Sequence, residues 1–294
     1  MKYLIALLLL SAFAAEKPKL IAADLLAASK PSDWRPLRAE NTLYLDLPAG
    51  RVIIELAPDF APNHVANIKA LAIEKYWDGL AIVRVQDNYV VQWADPNAGK
   101  PDKKRKIKNA KETLPAEFDF KQSPAIPFKK LPDKDVYAPE TGFTFGFPVG
   151  RDPKQGKMWM LHCYGTVGVG RDVAADSGGG PELYAVIGQA PRHLDRNTTL
   201  VGRVIDGMEF LSSLPRGHGA LGFYEKPEQQ IPIKGLHLAS DLPEKERVNY
   251  EVLRTDTPLW EKLIQARRNR MEDWFHYQAG HIDACNVTVP MRKK

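Results

Sequence analysis

Residues 43–56 read LYLDLPAGRVIIEL, and this stretch decides the fold class. Leucines alternate with polar residues up to a Pro48-Ala49-Gly50 turn, and a second apolar, β-branched run follows directly. Alternation with a period of two, interrupted by turn residues, is typical of two antiparallel strands joined in a hairpin. The stretch therefore predicts a β-sheet that begins at Leu43.

Further short strands and two helices are predicted downstream of this hairpin. Pro62 stands at a first-turn position and is followed by apolar residues at helical spacing, which predicts a helix over 61–74. Strands are predicted at 81–85, 89–92, 164–169, 183–187, 199–204 and 231–238, with a short helix around 208–214. Short strands separated by turns, with few helices, predict a mainly β fold in a closed or nearly closed barrel.

Four regions that differ in composition and pattern from the predicted barrel domain, 43–238, precede, interrupt or follow it. Residues 1–15 have a basic start, an apolar run and a small-x-small cleavage site, which indicates a secretory signal peptide. Residues 16–42 are interpreted as a loosely attached leader and 97–157 as an irregular inserted loop. In the C-terminal extension, 239–294, Thr257-Pro258 caps a predicted amphipathic helix that runs to Gly280.

The N-terminal run favours export over membrane anchoring. A spanning helix needs about 20 apolar residues, whereas charge resumes at Glu16. We expect a protein that is exported to the periplasm or secreted, without a membrane span, and soluble once the signal peptide is removed.

The composition is that of one or two ordinary globular domains. Of the 294 residues, 44% are hydrophobic and 26% are charged, which excludes collagen, coiled coil and a disordered chain. The formal net charge of +5 would suit an anionic partner only if it were clustered. The basic run 103–106 is interpreted as a solvated loop; the alternative interpretation is that it binds an anionic surface. No nucleic acid partner is predicted.

No motif in the sequence indicates a metal, a cofactor or a nucleophile. None of the seven histidines has a second ligand at metal-binding spacing, and the glycine-rich segments lack the dinucleotide and phosphate-loop patterns. Cys163 and Cys285 can pair in an oxidising compartment, but spacing alone cannot show that they meet. We favour a buried strand thiol at Cys163 and an unpaired thiol at Cys285, and leave the disulfide open.

Arg84, Tyr89 and Gln92 form the most suggestive cluster in the sequence. They lie on two consecutive predicted strands, where residues eight apart can share one face of a hairpin. A guanidinium, a phenol and an amide could then meet in one shallow pocket. The alternative is a surface arginine beside a core tyrosine.

Ordered segments of this chain resemble the cyclophilins. They are GRVIIEL at 50–56, APNHVAN at 61–67, YWDG at 76–79, VRV at 83–85, Tyr89, Gln92, Asp95-Pro96, GTVGV at 165–169, GPELY at 180–184 and LDRNTTLVGRV at 194–204. The resemblance implies an eight-stranded closed β-barrel capped by two helices. It also implies peptidyl-prolyl cis-trans isomerase activity, without a cofactor or metal, on proline-containing polypeptides. Together with the predicted signal peptide, this leads us to expect a role in the folding of exported proteins.

The resemblance also implies a set of site residues. Arg84 corresponds to the catalytic arginine, and the substrate-binding positions are Tyr89, Gln92, Gly170, Arg171, Glu182, Leu183, Tyr184, Leu194 and Thr198. Within this set, alternation alone leaves open whether Leu183 or Tyr184 faces the core. Val83, Glu182 and Leu183 depart from the family pattern and motivate an alternative function, a catalytically weak proline-binding chaperone or scaffold. The C-terminal helix, through Trp260, Leu263 and Trp274, is expected to pack outside the barrel of a monomer, with self-association as the alternative.

Overall fold

The structure is a computed structural model that describes residues 19–294, so the predicted signal peptide lies outside the described residues. The helices are α1 Ala22–Ala27, α2 Pro62–Ile73, α3 Met208–Ser212 and α4 Pro258–Arg268. The strands are β1 Trp34–Pro36, β2 Thr42–Asp46, β3 Arg51–Leu56, β4 Ala81–Val85, β5 Val90–Ala94, β6 Phe120–Lys121, β7 Lys129–Lys130, β8 Glu140–Thr144, β9 Phe147–Asp152, β10 Lys157–Met160, β11 Thr166–Val169, β12 Leu183–Val186, β13 Leu200–Asp206, β14 Ile231–Pro232, β15 Gly235–Leu238, β16 Tyr250–Leu253 and β17 Met291–Lys293.

The largest sheet curls into the predicted barrel. Its strand order is β14-β4-β5-β12-β11-β13-β3-β2-β15, and every pairing is antiparallel. The edge strands β14 and β15 are separated only by Ile233 and Lys234. Ile233 N–H donates to the Leu80 carbonyl beside β4, and Lys234 N–H donates to the Asp46 carbonyl of β2, both at 2.8 Å. One segment thus joins both edges of the sheet, and the mainly β class is confirmed. The strand expected over 231–238 is divided into β14 and β15, so the curled sheet has nine strands where eight were expected.

The predicted hairpin and helix follow from their burial patterns. In the hairpin, Leu43 lies opposite Ile54, and both side chains point into the barrel core. Helix α2 buries Ile68 and Leu71 in the same core, and Leu211 of α3 joins them. Apolar side chains repeated every three or four residues place one face of each helix on the barrel. The expectation of two capping helices is therefore confirmed.

The inserted segment 97–157 is more regular than the expected loop. From residue 120 onward it contributes to a second, five-stranded sheet in the order β6-β10-β9-β8-β7. Strands β8 and β9 form a hairpin whose two turn residues, Phe145 and Gly146, have positive φ angles of 52° and 88°. Asn-Gly and Asp-Gly are the usual signals for such turns, and this Phe-Gly turn is not one of them. Neither β8 nor β9 alternates between buried and exposed residues, so the hairpin has no period-two signal either.

The leader and the C-terminal extension pack against this second sheet, which corrects the expectation of a loose leader. Strand β1 pairs with β16, which pairs with β17. Helix α4 ends at Arg268 rather than at Gly280, and Trp274 is 81% exposed. Trp260 and Leu263 are buried, as expected, but they lie in a separate core with Trp34 of the leader rather than on the barrel.

Cys163 and Cys285 form a disulfide bond, so the favoured interpretation of two unpaired thiols was wrong. Their Cα atoms lie 4.9 Å apart although the residues are separated by 122 positions. The C-terminal segment brings Cys285 to Cys163 because Ala284 and Val287, on either side of Cys285, are buried in the same core as Cys163. Such a long-range contact has no local sequence signal.

A buried ion cluster also joins the two sheets. Glu55 of β3 accepts hydrogen bonds from Arg35 of the leader at 2.6 Å and from Arg203 of β13 at 3.0 Å. The same arginines donate to the carbonyls of Phe145 and Gly146 in the turn of the second sheet, at 2.8 and 2.6 Å. The two cations share one carboxylate, and each binds one backbone carbonyl of the turn, which fixes the second sheet against the barrel. Among the described residues, no helix is both long and apolar enough to cross a membrane.

Candidate active site

A cavity of about 270 Å³ opens on the outer face of β4, β5, β11 and β12. Its lining consists of Arg84, Tyr89, Val90, Gln92, Val169, Gly170, Arg171, Glu182, Tyr184, Leu194 and Thr198. The structure therefore brings together all the predicted site residues except Leu183. Leu183 is 1% exposed and packs in the barrel core, because neighbouring residues of β12 point to opposite faces. Tyr184 is the residue of this pair that faces the cavity.

Arg84 is held from several sides at the edge of the cavity. Its Nε donates to the Leu221 carbonyl at 2.7 Å, and one terminal nitrogen donates to Gln92 Oε1 at 3.0 Å. The other terminal nitrogen bonds Gln86, and the guanidinium lies 5.4 Å from the centre of the Phe223 ring. Burial lowers the pKa of Arg84, yet arginine stays protonated in proteins. The cavity thus has a fixed, permanently charged donor.

Gln92 connects Arg84 to Glu182. The Gln92 amide oxygen accepts from Arg84, and its nitrogen donates to the Glu182 carboxylate. A cation on one side and an anion on the other fix which end of the amide faces which partner. Burial raises the pKa of Glu182 above its ordinary value. The acidic residue that departs from the family pattern therefore acts on Arg84 through Gln92.

Tyr184 and Thr198 form the floor of the cavity, and a residue that the sequence did not indicate lies behind them. The Tyr184 hydroxyl lies 2.5 Å from Thr198 Oγ1, and His162 Nε2 lies 3.0 Å from each of these oxygens. The Tyr184 ring rests on Gly168, where a Cβ would come within 2.4 Å of it. Burial raises the pKa of Tyr184, so its hydroxyl keeps its proton. His162 has no metal-binding spacing in the sequence, and only the fold brings it here.

The remaining predicted residues close the sides of the cavity. Tyr89 stacks on His193 with ring centres 6.4 Å apart and planes 2° from parallel. Gly170 N–H donates to the Glu182 carbonyl at 2.9 Å, so that backbone donor is already used within the protein. Arg171 Nε donates to the Asn197 carbonyl at 2.8 Å, which ties its side chain to the loop before β13.

Similarity to known proteins agrees with this geometry. A sequence profile described as cyclophilin type peptidyl-prolyl cis-trans isomerase/CLD matches residues 42–238. The chain belongs to the cyclophilins. Two probable peptidyl-prolyl cis-trans isomerases, from Brucella suis and Brucella melitensis, are each 28% identical to this cyclophilin over 199 residues, 65% of this chain and 81% of theirs.

The likeness to a solved cyclophilin extends beyond the barrel. The crystal structure of a cyclophilin from Hirschia baltica superposes with a TM-score of 0.70 at 26% identity. The match covers 92% of this cyclophilin and 96% of that one. The predicted family and the expected peptidyl-prolyl isomerase activity are confirmed. Among residues 19–294, no group of three or more His, Cys, Asp or Glu side chains is placed to hold a metal ion.

Proposed function

We propose that Arg84 is the catalytic residue of this isomerase. The observation that carries the proposal is the position of its fixed cation, beside Gln92 and at the edge of a cavity with Tyr184 as its floor. Rotation about an amide faces a barrier of about 18 to 20 kcal/mol because resonance keeps the bond planar. In the twisted transition state the prolyl nitrogen becomes pyramidal and can accept a hydrogen bond. A donor aimed there binds the transition state better than the ground state.

The other walls of the cavity fit the parts of the substrate that stay still. Tyr89, Tyr184 and Leu194 surround a space for the pyrrolidine ring. The Gln92 amide nitrogen has two hydrogens, of which Glu182 takes one, and the second can reach a peptide carbonyl. Leu183 is given no part in binding, since it lies inside the barrel. This arrangement needs neither a nucleophile nor a cofactor.

The test compares wild type with Arg84→Ala in an NMR exchange or protease-coupled assay on a proline peptide. Removing one preorganised transition-state donor costs about 100- to 1,000-fold in kcat, so we expect kcat/KM to fall by that factor. Arg254→Ala is the matched control, because Arg254 is exposed, pairs with Asp256 and lies outside the cavity. Equal rates for wild type and Arg84→Ala would refute the role. Only if both rates equalled the uncatalysed rate would they favour the alternative, a proline-binding chaperone or scaffold.

We also infer that this cyclophilin acts on exported proteins, in the periplasm or outside the cell, and as a monomer. Two features support export: the signal-like sequence 1–15, and a disulfide of the kind that persists in oxidising compartments. The measurement is N-terminal sequencing of the protein recovered from the periplasm or the medium. A mature chain that starts close to Glu16 is expected. Recovery of the intact N-terminus in the cytosol would contradict export, and sedimentation at several concentrations tests the monomer.

A further inference from the structure

A buried histidine lies directly behind the floor of the cavity. His162 is 0% exposed, and its Nε2 faces the hydroxyls of Tyr184 and Thr198 at 3.0 Å each. Its Nδ1 faces Asp195 Oδ1 at 2.9 Å on the other side. It touches no cavity surface itself, and the catalytic scheme above does not use it.

The partners of His162 define which ring nitrogen carries the proton. Asp195 pairs with the Arg192 guanidinium and also accepts the His162 backbone N–H at 3.0 Å. A carboxylate paired with a cation only accepts hydrogen bonds, so Nδ1 must be the donor toward it. Burial lowers the pKa of His162, which keeps the ring neutral. Nε2 therefore offers a lone pair to the two hydroxyls.

The two hydroxyls and Nε2 then form a closed set. Tyr184 and Thr198 have one hydroxyl hydrogen each, and their oxygens lie 2.5 Å apart. One hydroxyl donates to Nε2, and the other donates to the oxygen of the first. Both hydrogens are used within the triangle, so the cavity floor presents no free O–H to an apolar ring.

We propose that His162 is a positioning residue of the proline pocket. Its imidazole holds the Tyr184 and Thr198 hydroxyls so that the floor of the cavity accepts a pyrrolidine ring. The proposal rests on the proposed function of the cavity. Without the imidazole, one hydroxyl hydrogen loses its acceptor and needs a water molecule that a bound proline ring would displace. A buried donor left unpaired weakens binding by about fivefold to 150-fold.

His162 is itself held by a buried ion network that reaches the inserted segment. Arg192, which binds Asp195, also donates two hydrogen bonds to Asp135, at 2.9 and 3.0 Å. The side chains of Arg192 and Asp135 are only 5% and 4% exposed. The insertion therefore supports the floor of the pocket through Asp135, Arg192 and Asp195 in turn.

The experiment measures how far the effect of His162 depends on the two hydroxyls. The full-length mature protein is titrated with a proline-containing tetrapeptide by NMR, and kcat and KM are measured on the same peptide. We expect His162→Leu to raise Kd and KM about tenfold, with kcat changed less than about threefold because Arg84 is untouched. In a Tyr184→Phe/Thr198→Val background, the same substitution should change Kd less than about twofold.

His162→Gln provides the conservative variant, since its amide oxygen can accept one hydroxyl hydrogen, and we expect it to recover most of the affinity. Equal effects of His162→Leu in both backgrounds would overturn the proposal, and so would no effect in either. If His162→Leu does not fold, His162→Met, whose thioether is only a weak acceptor, takes its place across the same backgrounds with the same two refuting outcomes. Because Kd is measured without turnover, an inactive wild type would count against Arg84 catalysis and leave the His162 comparison decisive.

Discussion

Removing the disulfide between Cys163 and Cys285 should destabilise the protein by a calculable amount. A cross-link limits the conformations of the unfolded chain, and the effect grows with the length of the closed loop. With a sequence separation of 122 between the cysteines, the chain-entropy relation gives about 5 kcal/mol at 25 °C. Unfolding entropy is about 2.1 cal/mol/K per residue. For 294 residues the loss corresponds to a fall of about 8 °C in the melting temperature.

The assay is thermal unfolding of wild type and of the Cys163→Ser/Cys285→Ser variant, followed by circular dichroism with and without dithiothreitol. The reductant should lower the wild-type midpoint by about the same amount and leave the double variant unchanged, which controls for the serine substitutions themselves. A double variant that melts within about 2 °C of oxidised wild type would refute the reasoning. It would show that the C-terminal segment, packed through Ala284 and Val287, is held without the covalent bond.

Three further predictions concern the pocket and the second core. Burial raises the pKa of Glu182 above its ordinary 4.5, and a bound peptide would bury it further, so the protonated form should bind better. Wild-type kcat/KM should therefore fall as pH rises through this pKa, whereas Glu182→Gln should give a flatter profile over the same pH range. Parallel profiles for the two proteins would contradict this. Gly168→Ala should lower kcat/KM by about tenfold or more, because the added Cβ would displace the Tyr184 ring. Unchanged kinetics would show that the ring can accommodate the Cβ without moving out of the pocket. Trp260→Ala should lower the free energy of unfolding in urea by about 3 to 5 kcal/mol, because Trp260 is fully buried. Trp274→Ala, at an exposed site, should change it by no more than about 0.5 kcal/mol. Similar losses for the two variants would disprove the assignment of the core.

The barrel and most of its site could be predicted because their signals are local. The hairpin that begins at Leu43 and the α2 helix follow from period-two and helical spacing, which any short window of sequence contains. Arg84 and Gln92 could be paired in advance because they lie on consecutive strands and face each other in the observed register. The resemblance of ordered segments to the cyclophilins then indicated the site residues that periodicity alone does not identify.

The second sheet and the tails could not be predicted in the same way. Strands β8 and β9 are joined by a Phe145-Gly146 turn without the usual turn residues, and the surrounding segment is rich in Pro, Lys and Gly. Amphipathic spacing marked Trp260 and Trp274 alike as packing residues. The chain leaves its helix at Arg268, so only Trp260 stays on the buried face.

The sequence by itself determined the mainly β class, the cyclophilin barrel and the types of side chain in the cavity, because strand alternation and ordered motifs are properties of neighbouring residues. Only the tertiary structure decided which residue of β12 faces the cavity, that Cys163 meets Cys285, and that His162 stands behind Tyr184. Each of these depends on contacts between segments far apart in the chain. The free energy of such contacts comes from packing and from hydrogen bonds of buried groups, which local spacing does not record.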